Sequence, residues 1–302
     1  MTAEEEAALQ AYLKARKEMV DEALGRYLPG EGEFPPVIFQ SVRYSVFAGG
    51  KRIRPILCMA AAEAVGGIAE IVLPAACALE MIHTYSLIHD DLPAMDNDEY
   101  RRGKLTNHRV FGEDIAILAG DALLTEAFHL LSGKALAGRV PAERILAVIR
   151  DVSEASGWFG MVGGQVLDLE AEGKAVDLTG LNHIHARKTG ALIRASVRGG
   201  ALLAGADEKR VQSLSEYGSH LGLAFQIADD ILDVEGDREL LGKETGADSA
   251  RKKATFPALV GLEDSKQKAR VLAGKALEAI ASFDAKADPL RWIAAFVVER
   301  KA

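Results

Sequence analysis

The chain has 302 residues and 32.3 kDa, 49% hydrophobic and 26% charged, which is enough apolar material to bury a large core. A net charge of −8 and a pI near 5.5 exclude the basic face of a nucleic-acid binder. Only 6% of residues are aromatic, and alanine and leucine dominate over β-branched residues, a bias towards helix rather than sheet.

The first stretch, MTAEEEAALQAYLKARKEM, reads as an acidic amphipathic helix, unlike the basic start and apolar core of a signal peptide, so a cytoplasmic location is expected. Further helices are predicted after it. The candidates span about residues 3–27, 36–48, 54–65, 71–92, 112–133, 141–155, 157–171, 178–204, 208–235, 256–261, 264–282 and 288–300. The breaks between them are short: PGEGEFPP from position 29, glycine pairs at 49 and 66, and the charged stretch EGDRELLGKETGADSARKK from 235. No convincing period-2 strand and no Ser/Gly linker interrupts the series, so the expectation is one all-α domain over residues 1–302. Cys58 and Cys77 sit in apolar helical patterns and read as small core residues. Apolar stretches such as ALIRASVRGGALLAGA are broken by Arg194 and Arg198, so no membrane span of roughly 18 uncharged residues is expected.

Several helices are apolar nearly all round and belong in the middle of a bundle. One of them, IVLPAACALEMIHTYSLI, runs straight into HDDLPAMDND, which holds four aspartates in ten positions. Asp90 and Asp96 are six apart, about 240° around a regular helix, and share a face only if the helix stops. Pro93 supplies the stop, because it lacks a backbone donor and clashes one turn back. Arg101 and Arg102 follow. Carboxylates beside paired arginines suit Mg²⁺ holding an oligophosphate whose outer oxygens the guanidiniums clasp. In the second cluster, GLAFQIADDILDVEGD, Asp229 and Asp233 are i and i+4, about 40° apart, with Asp230 between them. Two carboxylates ionised together in a partly buried cavity need a cation in front of them.

Other polar groups lie where a core would avoid them. GGKRIRP sets Lys51, Arg52 and Arg54 around a helix start, where backbone donors and the helix dipole already favour phosphate. Lys188, Thr189, Gln226 and Lys243 complete the set. By pattern alone, His83 and His89 read as core or boundary histidines, Asp121 and Asp168 as buried carboxylates, and Gly163 and Gly164 as sites of close helix packing. GDRELLGKET mimics a phosphate loop but has the wrong glycine spacing, and Glu244 stands where Ser or Thr must reach the metal. His89-Asp90 resembles the core of a metal phosphohydrolase, yet no histidine precedes His83 to serve as the earlier metal ligand.

The stretches LEMIHTYSLIHDDLPAMDNDEYRRGKLTNHRVFGEDIAILAGDALL, GGKRIRP, GGQVLDLEAEGK, HARKTGALIRASVR and GLAFQIADDILDVEGD resemble the polyprenyl (trans-isoprenyl) diphosphate synthases, of the bacterial farnesyl diphosphate synthase type. The resemblance runs from about residue 36 to 300. It implies an isoprenoid-synthase-type helical bundle around a central apolar cavity, usually a homodimer. It also implies a reaction in which isopentenyl diphosphate attacks the carbocation left by an allylic diphosphate, dimethylallyl or geranyl. Several Mg²⁺ ions per site, with Mn²⁺ the alternative, would be held by Asp90, Asp91, Asp96, Asp229, Asp230 and Asp233. Arg101 and Lys188 would contact the allylic phosphates, and Lys51, Arg54, His83 and Arg102 isopentenyl diphosphate, which overturns the core reading of His83. Lys243 joins the substrate-binding set, and Thr189 and Gln226 would offer partial negative charge near the cation.

Under the same resemblance, Tyr85 with small Ser86 beside it is the floor that limits the product to fifteen carbons; by pattern alone Tyr85 is a core aromatic. Two departures stand out: ARKKATFP replaces a loop that commonly carries a glycine and a Ser-Thr pair, and Asn97 replaces an aspartate. Terpene cyclases and non-catalytic bundle subunits are the competing classes. The Lys51 and Arg54 site speaks against a cyclase, and the retained aspartates and arginines against an inert subunit.

Overall fold

A computed structural model describes residues 1–235 and 254–299. The chain opens with α1 (Ala3–Tyr27), started by a capping box in which Thr2 accepts from the Glu5 amide and the Glu5 carboxylate accepts from the Thr2 amide. There follow α2 (Pro36–Val46), α3 (Ile53–Ala64) and α4 (Ala69–Asp90), then a hairpin of β1 (Tyr100–Arg101) and β2 (Lys104–Leu105). Next come α5 (Asn107–Phe111), α6 (Glu113–Ser132), α7 (Ala142–Ser156), α8 (Met161–Ala171) and α9 (Leu178–His185). A π-helical turn, Ala186–Gly190, links α9 to α10 (Ala191–Leu203), and α11 (Glu208–Glu235) ends the first described segment. The second holds α12 (Phe256–Val260), α13 (Leu262–Ala279), a 3₁₀ turn at Ala285–Ala287 and α14 (Asp288–Glu299). Lys243 and Lys253 lie outside the described residues.

The all-helical expectation holds, and the helices share one core. α4 and α10 lie at its middle: α4 packs on α3 and α6, and α10 on α3, α4, α7 and α11. Both are buried along most of their length, as all-round apolar helices must be. Cys58 and Cys77 are buried free thiols.

Four expectations change. The hairpin at 100–105 was not expected, because each strand is two residues long and carries no period-2 signal; its cue is Arg102-Gly103, both at positive φ as a type I′ turn requires. The 178–204 helix is broken by the π turn. By length and composition, α4 and α6 are apolar enough to cross a membrane, although 78% of the relevant α4 window is buried inside the protein against 39% for α6. The remainder of α6 exposes Ile117 and Leu118, and with them Asp121, which is not the buried carboxylate expected.

Candidate active site

A cavity of about 370 Å³ opens beside the C-terminal half of α4. Its polar lining includes Arg54, His83, Asp90, Lys188 and Thr189, and its apolar walls Tyr85, Met95, Met161, Val162, Val166 and Leu169. Asp90 is the last residue of α4. The chain then turns through Pro93 and comes back over the helix end, where the Asp96 amide donates to the Asp90 carbonyl at 2.8 Å. The two carboxylates therefore feel each other. Burial, with Asp96 and Asp91 adding to it, pushes Asp90 up to about 6 against the opposing pull of Lys188 and Arg101.

Asp91 goes elsewhere. It is 3% exposed, its Oδ1 accepts from Arg101 Nε at 2.7 Å, and it lines a separate small cavity with Arg101 and Arg102. The hairpin explains this division: Arg101 in β1 reaches back to Asp91 and Asp98, while Arg102, left-handed in the turn, donates from Nη1 to the Gly49 carbonyl. Arg101 thus holds a carboxylate rather than standing ready for phosphate alone.

On the opposite wall, two close helix approaches set the remaining side chains. A Cβ at Gly164 of α8 would fall 2.2 Å from the Lys188 amide nitrogen, so only glycine lets α8 lie against the π turn. Four residues on, Asp168 then meets Lys188 Nζ at 2.6 Å. A Cβ at Gly222 of α11 would fall 2.7 Å from Gly190 Cα. Four residues on, Gln226 Oε1 accepts from the Thr189 hydroxyl at 2.7 Å. The π turn turns successive residues, Lys188 and Thr189, to partners on α8 and α11, a use typical of π insertions at functional sites. Gln226 Nε2 in turn donates to Asp230 at 3.3 Å.

Asp230 is buried, and its Oδ2 accepts from the Phe256 amide at 2.9 Å, with His185 Nε2 3.7 Å away. It ties α11 to α12. Asp233 keeps a buried Oδ1 with no hydrogen-bond partner, and the charge of Asp229 reaches Arg54. Burial lowers Arg54, although Glu80 and Asp229 oppose it, and its Nε has no hydrogen-bond partner. Burial first, and then Arg54, Arg102, Arg101 and Arg52, hold His83 neutral well below its ordinary 6.5. This is a pocket of positive potential around a neutral imidazole, suited to a polyanion. Ser86 donates to the His83 carbonyl at 2.8 Å, and Tyr85, 6% exposed, packs edge-on to His89. His89 is half-buried with Nε2 3.0 Å from the Ile117 carbonyl.

No three His, Cys, Asp or Glu side chains among the described residues converge on a ready-made metal centre. The donor set still fits a hard cation that takes one or two carboxylates and fills its shell with water and phosphate oxygens, and the carboxylates that would hold it are Asp90, Asp96, Asp229 and Asp233. One residue has no role in the sequence reading: Gln165, in the cavity lining, has a buried amide whose oxygen and nitrogen both lack a partner. Its signal was a lone amide on an apolar helix next to the glycine pair 163–164.

Residues 35–287 match the sequence pattern of the family described as Polyprenyl synthetase. The chain is 53% identical over 293 residues to a geranylgeranyl diphosphate synthase of Cyanophora paradoxa, covering 97% of this chain and 96% of that one. It is 50% identical over 261 residues to a farnesyl diphosphate synthase of Geobacillus stearothermophilus, covering 86% and 87%. The crystal structure of geranylgeranyl pyrophosphate synthetase from Pyrococcus horikoshii Ot3 superposes with a TM-score of 0.88 at 33% identity, over 97% of this chain and 99% of that one.

Proposed function

As the chain belongs to the polyprenyl synthetase family and is a chain-elongating prenyltransferase, we propose that it condenses isopentenyl diphosphate with dimethylallyl or geranyl diphosphate and releases farnesyl diphosphate. The observation that carries this reading is one cavity lined both by Arg54, His83, Asp90 and Lys188 and by the apolar Tyr85, Met161, Val162 and Val166.

The allylic diphosphate lies with its phosphates at Lys188 and its chain in the apolar depth. Ionisation places charge on the leaving diphosphate, which Lys188 and Arg101 neutralise where little water competes. Divalent cations, held by Asp90 and Asp96 and by Asp229 and Asp233, would supply further neutralisation of that charge. The Thr189 hydroxyl orients the Gln226 amide oxygen, and the pair offers partial negative charge to the allylic cation without a nucleophile strong enough to trap it. Apolar walls exclude water, which would otherwise capture the cation. Isopentenyl diphosphate is held at Lys51, Arg54, His83 and Arg102, its double bond facing the cation. The proton lost after bond formation goes to released diphosphate, so no side-chain base is needed.

Tyr85 supports the fifteen-carbon product, because it stands in the cavity wall about 7.5 Å back along α4 from Asp90. The 53% identical relative named for geranylgeranyl diphosphate favours a twenty-carbon product as the second reading. We also place the protein as a homodimer. Ile117 and Leu118 leave α6 an apolar face, and exposed Glu113, Asp114 and Asp121 on the same helix suit a protein neighbour better than lipid. The test is to incubate purified protein with Mg²⁺, isopentenyl diphosphate and each allylic primer, then dephosphorylate and size the alcohols. A fifteen-carbon alcohol that disappears on adding EDTA is expected. A twenty-carbon product refutes the length assignment, and no condensation refutes the reading as a whole.

A further inference from the structure

The loop that begins the anion site is held by a residue facing away from it. Arg52 stands between Lys51 and Arg54 with φ 53°, in the left-handed region, and caps α3 without a side-chain cap bond. A non-glycine residue there is strained and persists only where its surroundings hold it. Three elements do so. Nε donates to Asp21 of α1 at 2.8 Å, Nη1 to Glu80 of α4 at 2.7 Å, and Nη2 to the carbonyl of Val46, the last residue of α2, at 2.6 Å. The guanidinium is 1% exposed and Glu80 2%, whereas Asp21 is 28% exposed and also receives Lys17.

The same loop carries Gly49, whose carbonyl takes Arg102, and Gly50, where a Cβ would fall 2.6 Å from that guanidinium. The backbone angle of Arg52 therefore sets Lys51, the start of α3 with Arg54, and the seat of Arg102 together. Glu80 lies three residues before His83, and its charge acts on Arg52, Arg54 and Arg102 at once. Asp21 is the second carboxylate on Arg52, and it leaves Glu80 to be shared with the two site arginines. It lies outside residues 35–287, which match the family pattern.

We propose that Asp21 of the N-terminal helix is a positioning residue for the non-allylic diphosphate, acting through Arg52 on the Gly49–Arg54 loop. This rests on the reading that Lys51, Arg54 and Arg102 bind isopentenyl diphosphate. Without Asp21, Arg52 keeps Glu80 and the Val46 carbonyl, so the fold stands, but the fork loses one of three directions. Glu80 is then drawn towards Arg52, and the loop samples other φ values.

The test is steady-state kinetics of Asp21→Asn, varying each substrate at saturation of the other. The expected result is a rise of about tenfold in KM for isopentenyl diphosphate, with KM for the allylic primer and kcat within about twofold of the parent. Asp21→Glu should restore most of the loss, and Lys17→Met should change neither KM. Unchanged KM values overturn the inference, even if Tm falls. So does a parallel fall in kcat with a rise in both KM values, which marks a merely structural role. Should Asp21→Asn not fold, Arg52→Lys carries the same test, because it keeps the charge and loses the fork; a parent-like KM for isopentenyl diphosphate in that variant is equally fatal. A parent protein that condenses nothing refutes the functional reading, whereas an active parent with an indistinguishable variant refutes only the role of Asp21.

Discussion

His83 sits where burial and four arginines oppose another positive charge. In the folded chain it stays neutral, while the unfolded chain takes up a proton near 6.5, so the unfolded state binds the extra proton at acid pH. Its contribution is therefore intact above about 6.5 and lost as pH falls, by up to about 1.4 kcal/mol per pH unit. Between pH 7 and 5 the parent should lose more stability than His83→Gln in urea unfolding; equal losses would mean the imidazole is not held neutral. Tyr85 makes the second prediction at this scale. Tyr85→Ala removes a wall of the cavity, and products should lengthen from fifteen to twenty carbons or more when sized after dephosphorylation. Unchanged length would show that the floor lies elsewhere. Residue types were legible in the sequence: Asp90 at the end of α4 and the Lys188-Thr189 pair of the π turn line one cavity. The partition of neighbours was not. Asp90 lines the main cavity while Asp91 pairs with Arg101, because the hairpin that carries Arg101 left no periodic trace.

Elements meet at this site through missing side chains. Gly164 and Gly222 each stand one helical turn before the polar residue they deliver, Asp168 and Gln226. Gly164→Ala would drive a methyl into the Lys188 backbone, at a cost of about 3 kcal/mol in stability. The surviving folded enzyme should show a raised KM for the allylic diphosphate, since Lys188 leaves Asp168. A variant with parent stability and kinetics would show that α8 can withdraw freely. Close packing at Gly164 was legible from the glycine pair, whereas Gly163 meets the Trp158 carbonyl of the turn before α8 rather than another helix. The π turn was not legible, because one inserted residue leaves the spacing of the apolar positions on either side almost unchanged.

At the scale of the molecule, α6 is the unfinished surface. Ile117 and Leu118 are 44% and 53% exposed on a helix otherwise apolar enough to be buried. If a second copy covers them, the parent should sediment at about twice 32.3 kDa and Leu118→Glu at 32.3 kDa. A monomeric parent would leave the face to another partner. Local patterns sufficed for most of the helices, the order of the motifs and the residue types of the two acidic clusters, because amphipathic period, proline and glycine breaks, and residue type are local properties. Three-dimensional packing settled which carboxylate shares a cavity with Lys188 and which serve as ties to Arg101 or to the Phe256 amide. It also decided that an arginine beside the anion site serves as a brace to α1. Those outcomes depend on how closely helices far apart in sequence approach one another, and no local pattern encodes that distance.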